Sequence, residues 1–150
     1  MGGRSQEVDS VLLEAARAMM AISVRAAAAV PGGISAIQLR ALTVLSGLEQ
    51  MNLADLGAAL GMSPSSTSRL CDRLVARGLV DRQVSPRTRR EVALSLSEQG
   101  RRLLAEYDRH RLDALCAVLG SFAPQRREEV LAALRDFAAA AGATRRTYVM

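Results

Sequence analysis

The 150-residue chain contains no lysine and no tryptophan, one histidine and two cysteines. Without lysine, Schiff-base chemistry and the phosphate-binding loop that ends in Lys are excluded. The lone His110 leaves an imidazole-based metal site without a second ligand of its kind, and no Cys/His zinc spacing occurs. A Ser-His-Asp triad would have to use this histidine, and no G-x-S-x-G elbow accompanies the serines. Neither enzymatic activity nor a metal or cofactor is therefore expected. Cys71 and Cys116 stand alone in the sequence, which argues against a disulfide scaffold and for a reducing, cytoplasmic compartment. No apolar run approaches the ~20 residues of a membrane-spanning helix. The opening residues MGGRSQEVDS place no apolar stretch behind their single arginine, so no signal peptide is expected either. Aromatic residues make up 3% of the chain (Tyr107, Phe122, Phe137 and Tyr148), which disfavours proteins that stack unpaired bases on aromatic rings.

What is present is an ordinary globular balance, with 49% apolar and 23% charged residues, and a length that predicts one domain over 1–150. All 20 basic residues are arginine, the net charge is +5 and the isoelectric point is about 10.5. A basic protein implies a polyanionic partner, with nucleic acid first. The charge is uneven: Asn52 to Arg102 holds nine arginines against five acids, so +4 of the +5 falls in that segment. A basic segment with no aromatic ring in it fits a duplex better than a single strand.

Apolar residues at Val8, Val11, Leu12, Ala15, Met19 and Ile22 follow three- and four-residue steps, which predicts a helix over 7–30 stopped by Pro31-Gly32-Gly33. Ser35 is a suitable N-cap for a second helix carrying Ile37, Leu39, Leu42, Leu45 and Leu48. Asn52 can cap a short helix from Leu53 to Leu60 that Gly61 ends. Ser63 can cap another that opens on Pro64 and runs through Leu70, Leu74 and Val75 to Gly78. Leu79–Val84 and Glu91–Leu96 read as strands around an arginine-bearing turn. Ser97 caps a long helix to about Gly120, and Pro124 opens a last one with Val130, Leu131, Leu134 and Phe137 facing inward. The predicted order is four helices, two strands and two helices.

The central segment from Leu53 to Leu70 is thus two short helices joined by a glycine-containing turn, the second opening on small polar residues. A helix-turn-helix needs this arrangement. Ser63, Pro64, Ser65, Ser66, Thr67 and Ser68 are small enough to let a helix N-terminus approach a major-groove floor, where free N–H groups favour phosphate. Arg69 and Arg73 can then reach base edges or phosphates. Leu56, Leu60, Leu70 and Leu74 would hold the pair together. Arg77 and the turn arginines Arg87, Arg89 and Arg90 are candidate contacts to the DNA backbone or minor groove. The bland alternative is a pair of core helices with a serine-rich cap, followed by a solvated loop. The motif and the basic turn in succession favour DNA.

The stretch from Ile37 through Gly100 resembles the winged helix-turn-helix of the multiple-antibiotic-resistance-regulator (MarR) family of bacterial transcription factors. The pieces that carry the resemblance are Leu53-Ala54-Asp55-Leu56-Gly57, Ser63 through Arg69, Asp72 through Val80, and Arg89-Arg90 followed by Val92, Leu94 and Leu96-Ser97. It implies a mainly α fold with a winged lobe over about 35–100 and dimerisation helices over about 7–30 and 98–141. It also implies a homodimer on an inverted-repeat operator, and a small-molecule or redox signal that weakens DNA binding. Ser85 and Thr88 stand where the family's wing usually carries acids, which makes this wing more basic.

A repressor relieved by a small anionic or phenolic effector is the expected function, with Met19, Met20, Ser23, Arg40 and Arg111 as candidate pocket residues. A Met stripe at helical spacing is more often a core feature. Two alternatives stay open: a winged-helix protein-interaction module without DNA binding, and a redox-sensing regulator that uses Cys71 and Cys116.

Overall fold

The computed structural model describes residues 2–84 and 92–147. Leucines spaced by three and four residues give each central helix one apolar face, and these faces close on a single core. The elements are α1 (Gly2–Ala29), α2 (Ala36–Ser46), β1 (Met51–Asn52), α3 (Leu53–Leu60), α4 (Pro64–Ala76), β2 (Val80–Val84), β3 (Val92–Leu96), α5 (Glu98–Gly120) and α6 (Pro124–Thr147). The chain divides into two compact units, Met1–Arg111 and Leu112–Met150.

In the first unit, Leu42, Leu45, Leu56, Leu74 and Leu94 are fully buried and join Leu60, Leu70, Leu79, Val80, Leu96 and Leu103 in one core. Ala26 and Val30 tie the end of α1 into it. The local stops work as their residue types dictate. Ser35 forms a capping box with Gln38 at the start of α2, and Asn52 Oδ1 accepts from the Asp55 N–H at 2.7 Å at the start of α3. Ser97 Oγ accepts from the Gly100 N–H at 2.9 Å while donating to the Gly78 carbonyl at 2.6 Å, so the cap of α5 also fastens the turn before β2.

The sheet is antiparallel in the order β1-β3-β2, with Asp81 paired to Ser95 and Arg82 to Leu94. The sequence reading missed β1. It is two residues long, pairs Met51 with Leu94 and Asn52 with Ala93, and overlaps the cap of α3, so no alternating pattern announces it.

The terminal helices differ more from expectation. Helix α1 begins at Gly2 rather than near Glu7. Of its apolar residues, Ile22 is buried, whereas Val8, Val11 and Leu12 are more than half exposed in the single chain. In the second unit, Leu131, Leu134 and Phe137, expected to face inward, are exposed. There the turn between α5 and α6 is closed by Arg127, which donates to the carbonyls of Leu119, Gly120 and Phe122 at 2.9–3.1 Å. No helix among the described residues is long and apolar enough to cross a membrane.

Candidate nucleic-acid interface

Helices α3 and α4 meet through a turn whose geometry follows from two glycines. Gly61 takes the left-handed conformation, with φ +66°, as the residue ending α3, and the Met62 N–H then bonds to the Gly57 carbonyl at 2.9 Å. Gly57 lets the next helix come close: a Cβ there would sit 2.9 Å from Thr67 Oγ1. Ser63 follows as the N-cap of α4, with its side chain accepting from the Ser66 N–H, and Pro64 occupies the first turn, where a missing N–H costs nothing.

The two faces of α4 have different jobs. Leu70, Cys71 and Leu74 are buried against the core. Pro64, Ser65, Arg69, Asp72, Arg73 and Ala76 are exposed, and positions 65, 69, 72, 73 and 76 recur at the spacing of one helix face. Ser63 is exposed beside them, its Oγ 3.0 Å from Ser66 Oγ and 3.4 Å from Ser65 Oγ, while Ser66 and Ser68 are half-buried. The result is an uncovered helix N-terminus lined by hydroxyls, followed one and two turns later by guanidinium groups. Such an end carries partial positive charge from the aligned peptide dipoles of the helix, to which Arg69 and Arg73 add. Arg69 Nε lies 3.4 Å from the Ser65 carbonyl, which folds its stem back along the helix.

Two residues of the expected contact set have partners within the chain. Thr67 is fully buried and donates to the Ser63 carbonyl at 2.9 Å, so its side chain builds the turn instead of facing a ligand. Arg77 is half-buried and donates to the Gly33 carbonyl at 2.7 Å and to Gln38 Oε1 at 3.2 Å. Periodicity gives a helix face but does not show which distant element covers it. Arg87, Arg89 and Arg90 lie outside the described residues.

One cross-element contact carried no sequence signal. Arg82 on β2 donates to Asp72 Oδ1 at 2.8 Å, so α4 is linked to β2. The pair is partly exposed, at 36% and 56%, and is therefore of modest energetic weight. It sets the environment of Cys71, whose thiol is pushed above its ordinary value by burial, with Arg82 lowering it and Asp72 raising it. A buried, protonated thiol is a poor nucleophile, which weakens the redox alternative at that residue. Cys116 is exposed on α5.

The candidate effector residues are distributed over three helices. Met19 and Met20 are exposed on α1, and Ser23 Oγ donates back to the Met19 carbonyl at 3.0 Å. Arg40 donates to the Ala59 carbonyl at 3.1 Å, bracing α2 against the end of α3. Arg111 lies over the Tyr107 ring at 5.4 Å, with NH1 3.7 Å from Asp108 Oδ1. None of them lines the open cleft of about 510 Å³ between Ser46–Glu49, Asp81, Ser95–Leu96 and Arg101.

The MarR-family model matches residues 32–91 of the chain, and no curated protein matches it. Among solved structures, Rv1404 from Mycobacterium tuberculosis is 36% identical over 91% of this chain and 94% of its own, with a TM-score of 0.81. A MarR family protein from Bacillus stearothermophilus is 24% identical over 95% and 99% of the two chains, with a TM-score of 0.76. A variant of MepR from Staphylococcus aureus, bound to an oligodeoxyribonucleotide, is 16% identical over 89% and 96%, with a TM-score of 0.73. With the buried leucines of α3 and α4, the left-handed turn at Gly61, the Ser63 cap and the antiparallel wing strands all in place, this chain belongs to the MarR family.

Proposed function

We propose that the protein is a transcription regulator that binds duplex DNA as a homodimer in the cytoplasm, most simply as a repressor. The observation that carries this reading is the exposed face of α4, which presents Ser65, Arg69 and Arg73 beside an uncovered N-terminus while the opposite face is locked in the core. A fixed helix with small residues at its tip and arginines behind them suits a major groove. Arg87, Arg89 and Arg90, which lie between β2 and β3 in sequence, supply charge for DNA backbone or minor groove. MepR's structure on an oligodeoxyribonucleotide supports the same use of the fold.

The homodimer reading rests on the apolar residues that the terminal helices leave open, Val8, Val11 and Leu12 on α1 and Leu131, Leu134 and Phe137 on α6. Their burial against a second copy would place two recognition helices about one duplex turn apart, so the operator is an inverted repeat. A small anionic or phenolic effector that prefers the DNA-incompatible arrangement would release it. Met19, Met20, Ser23, Arg40 and Arg111 are its candidate contacts. An aromatic carboxylate such as salicylate then loosens the complex, and replacing Cys71 and Cys116 with Ser leaves that response intact.

Fluorescence anisotropy with labelled duplexes tests the DNA-binding reading. The expected result is duplex binding that weakens steeply with salt and exceeds binding to either separated strand. Equal, weak binding to every nucleic acid offered would instead favour a protein-interaction module.

A further inference from the structure

Arg77 ends the recognition helix, and its guanidinium reaches across to two other elements. NH2 donates to the Gly33 carbonyl in the link between α1 and α2, and NH1 donates to Gln38 Oε1 in the first turn of α2, at 2.7 and 3.2 Å. The same Gln38 oxygen accepts from the Ser35 N–H at 3.1 Å as part of the capping box. The Gly33 end of the clamp is held in turn, because the Gly33 N–H bonds to the Val30 carbonyl at 2.9 Å and Val30 is buried in the core. Three elements therefore converge on one side chain. The backbone N–H of Arg77 still bonds to the Arg73 carbonyl at 3.1 Å, so the clamp grows directly out of the last helical turn.

We propose that Arg77 is a positioning residue for DNA recognition, fixing the C-terminal end of α4 to the α1–α2 junction, rather than a phosphate contact. This rests on the DNA-binding reading above. Leu70, Cys71 and Leu74 bury α4 along its length, and the clamp adds control over its angle. A helix of this length spans roughly 20 Å, so a tilt of about five degrees at the clamped end moves the serine-lined tip by roughly 2 Å. Base-edge contacts depend on such distances, whereas non-specific attraction to phosphates does not. Lysine cannot replace the clamp, because one ammonium lacks the rigid fork that spans two separated acceptors.

The test compares wild type, Arg77→Ala and Arg77→Lys at a temperature where circular dichroism shows all three folded. Each is titrated, at several salt concentrations, with a duplex enriched by the wild-type protein from a random library and with an unrelated duplex. The positioning role predicts that both variants lose on the order of tenfold in affinity for the enriched duplex. Affinity for the unrelated duplex and the slope of log K against log salt stay at wild-type values. A phosphate contact predicts that Lys behaves as wild type while Ala weakens both duplexes and flattens the slope by about 0.9 per protomer, about 1.8 for the dimer. A merely structural role predicts a lower melting temperature with both affinities unchanged. Either of these last two patterns overturns the proposal. Failure of the DNA-binding reading is distinct from all three, because the wild-type protein would then enrich no duplex at all.

Discussion

A methyl group added at Gly57 would meet Thr67 Oγ1 at 2.9 Å, and Thr67 is fully buried, so it has nowhere to retreat. Gly57→Ala is expected to cost about 1–3 kcal/mol through forced displacement of α4 against α3. A thermal melt reads the loss, and an unchanged midpoint would show that the two helices can part without strain. Arg69 belongs to the opposite, exposed face of the same helix. Arg69→Ala should leave the melt unaltered and weaken binding to the preferred duplex by about 1–3 kcal/mol, relaxing preference at one position of each half-site. Cys71 completes the residue scale. Its burial predicts that, with Cys116→Ser as background, the native protein gives no rapid thiol reaction with Ellman's reagent and a full one after denaturation. Rapid reaction in the native state would restore the redox alternative.

At the scale of elements, caps and glycines decide where each helix begins and ends, and these features were legible in the sequence. Ser35, Asn52 and Ser63 each cap the helix expected of them, and Gly61 ends α3 in the left-handed conformation. Such signals are local, since a cap needs its own side chain and the N–H groups of the next turn. The alternating pattern of the wing strands was legible for the same reason. Contacts between elements distant in sequence were not. The Arg77 clamp spans 39 and 44 residues, and the Arg82–Asp72 pair joins a helix to a strand. No periodicity encodes which arginine on a helix finds a carbonyl elsewhere and which stays in solvent. Nor does periodicity show that Thr67, whose hydroxyl type suits a contact surface, is buried beside Gly57. The wing arginines give a prediction at this scale. Replacing Arg89 and Arg90 with Ala should weaken binding to specific and unrelated duplexes alike and flatten the salt dependence, because phosphate contacts carry no sequence information.

For the whole molecule, the burial pattern is asymmetric. Leu42, Leu45, Leu56, Leu60, Leu70 and Leu74 of the central helices are sealed in the core, while Val8, Val11, Leu12, Leu131, Leu134 and Phe137 on the terminal helices are exposed in a single chain. Isolated exposed apolar residues are ordinary, but their concentration on two long helices is what an interface between copies requires. Light scattering at micromolar concentration is expected to report twice the 16.0 kDa chain mass, and a folded species at the chain mass would remove the basis for the two-fold operator. In the proposed dimer, the spacing of the two α4 helices fixes the spacing of the half-sites. The most direct test of that statement is sequencing of the duplexes that the wild-type protein retains from a random library. An enriched inverted repeat with half-site centres about one helical turn apart, 10–10.5 base pairs or a multiple of it, is the predicted result. Enrichment of no sequence, or of a single unrepeated motif, would contradict it.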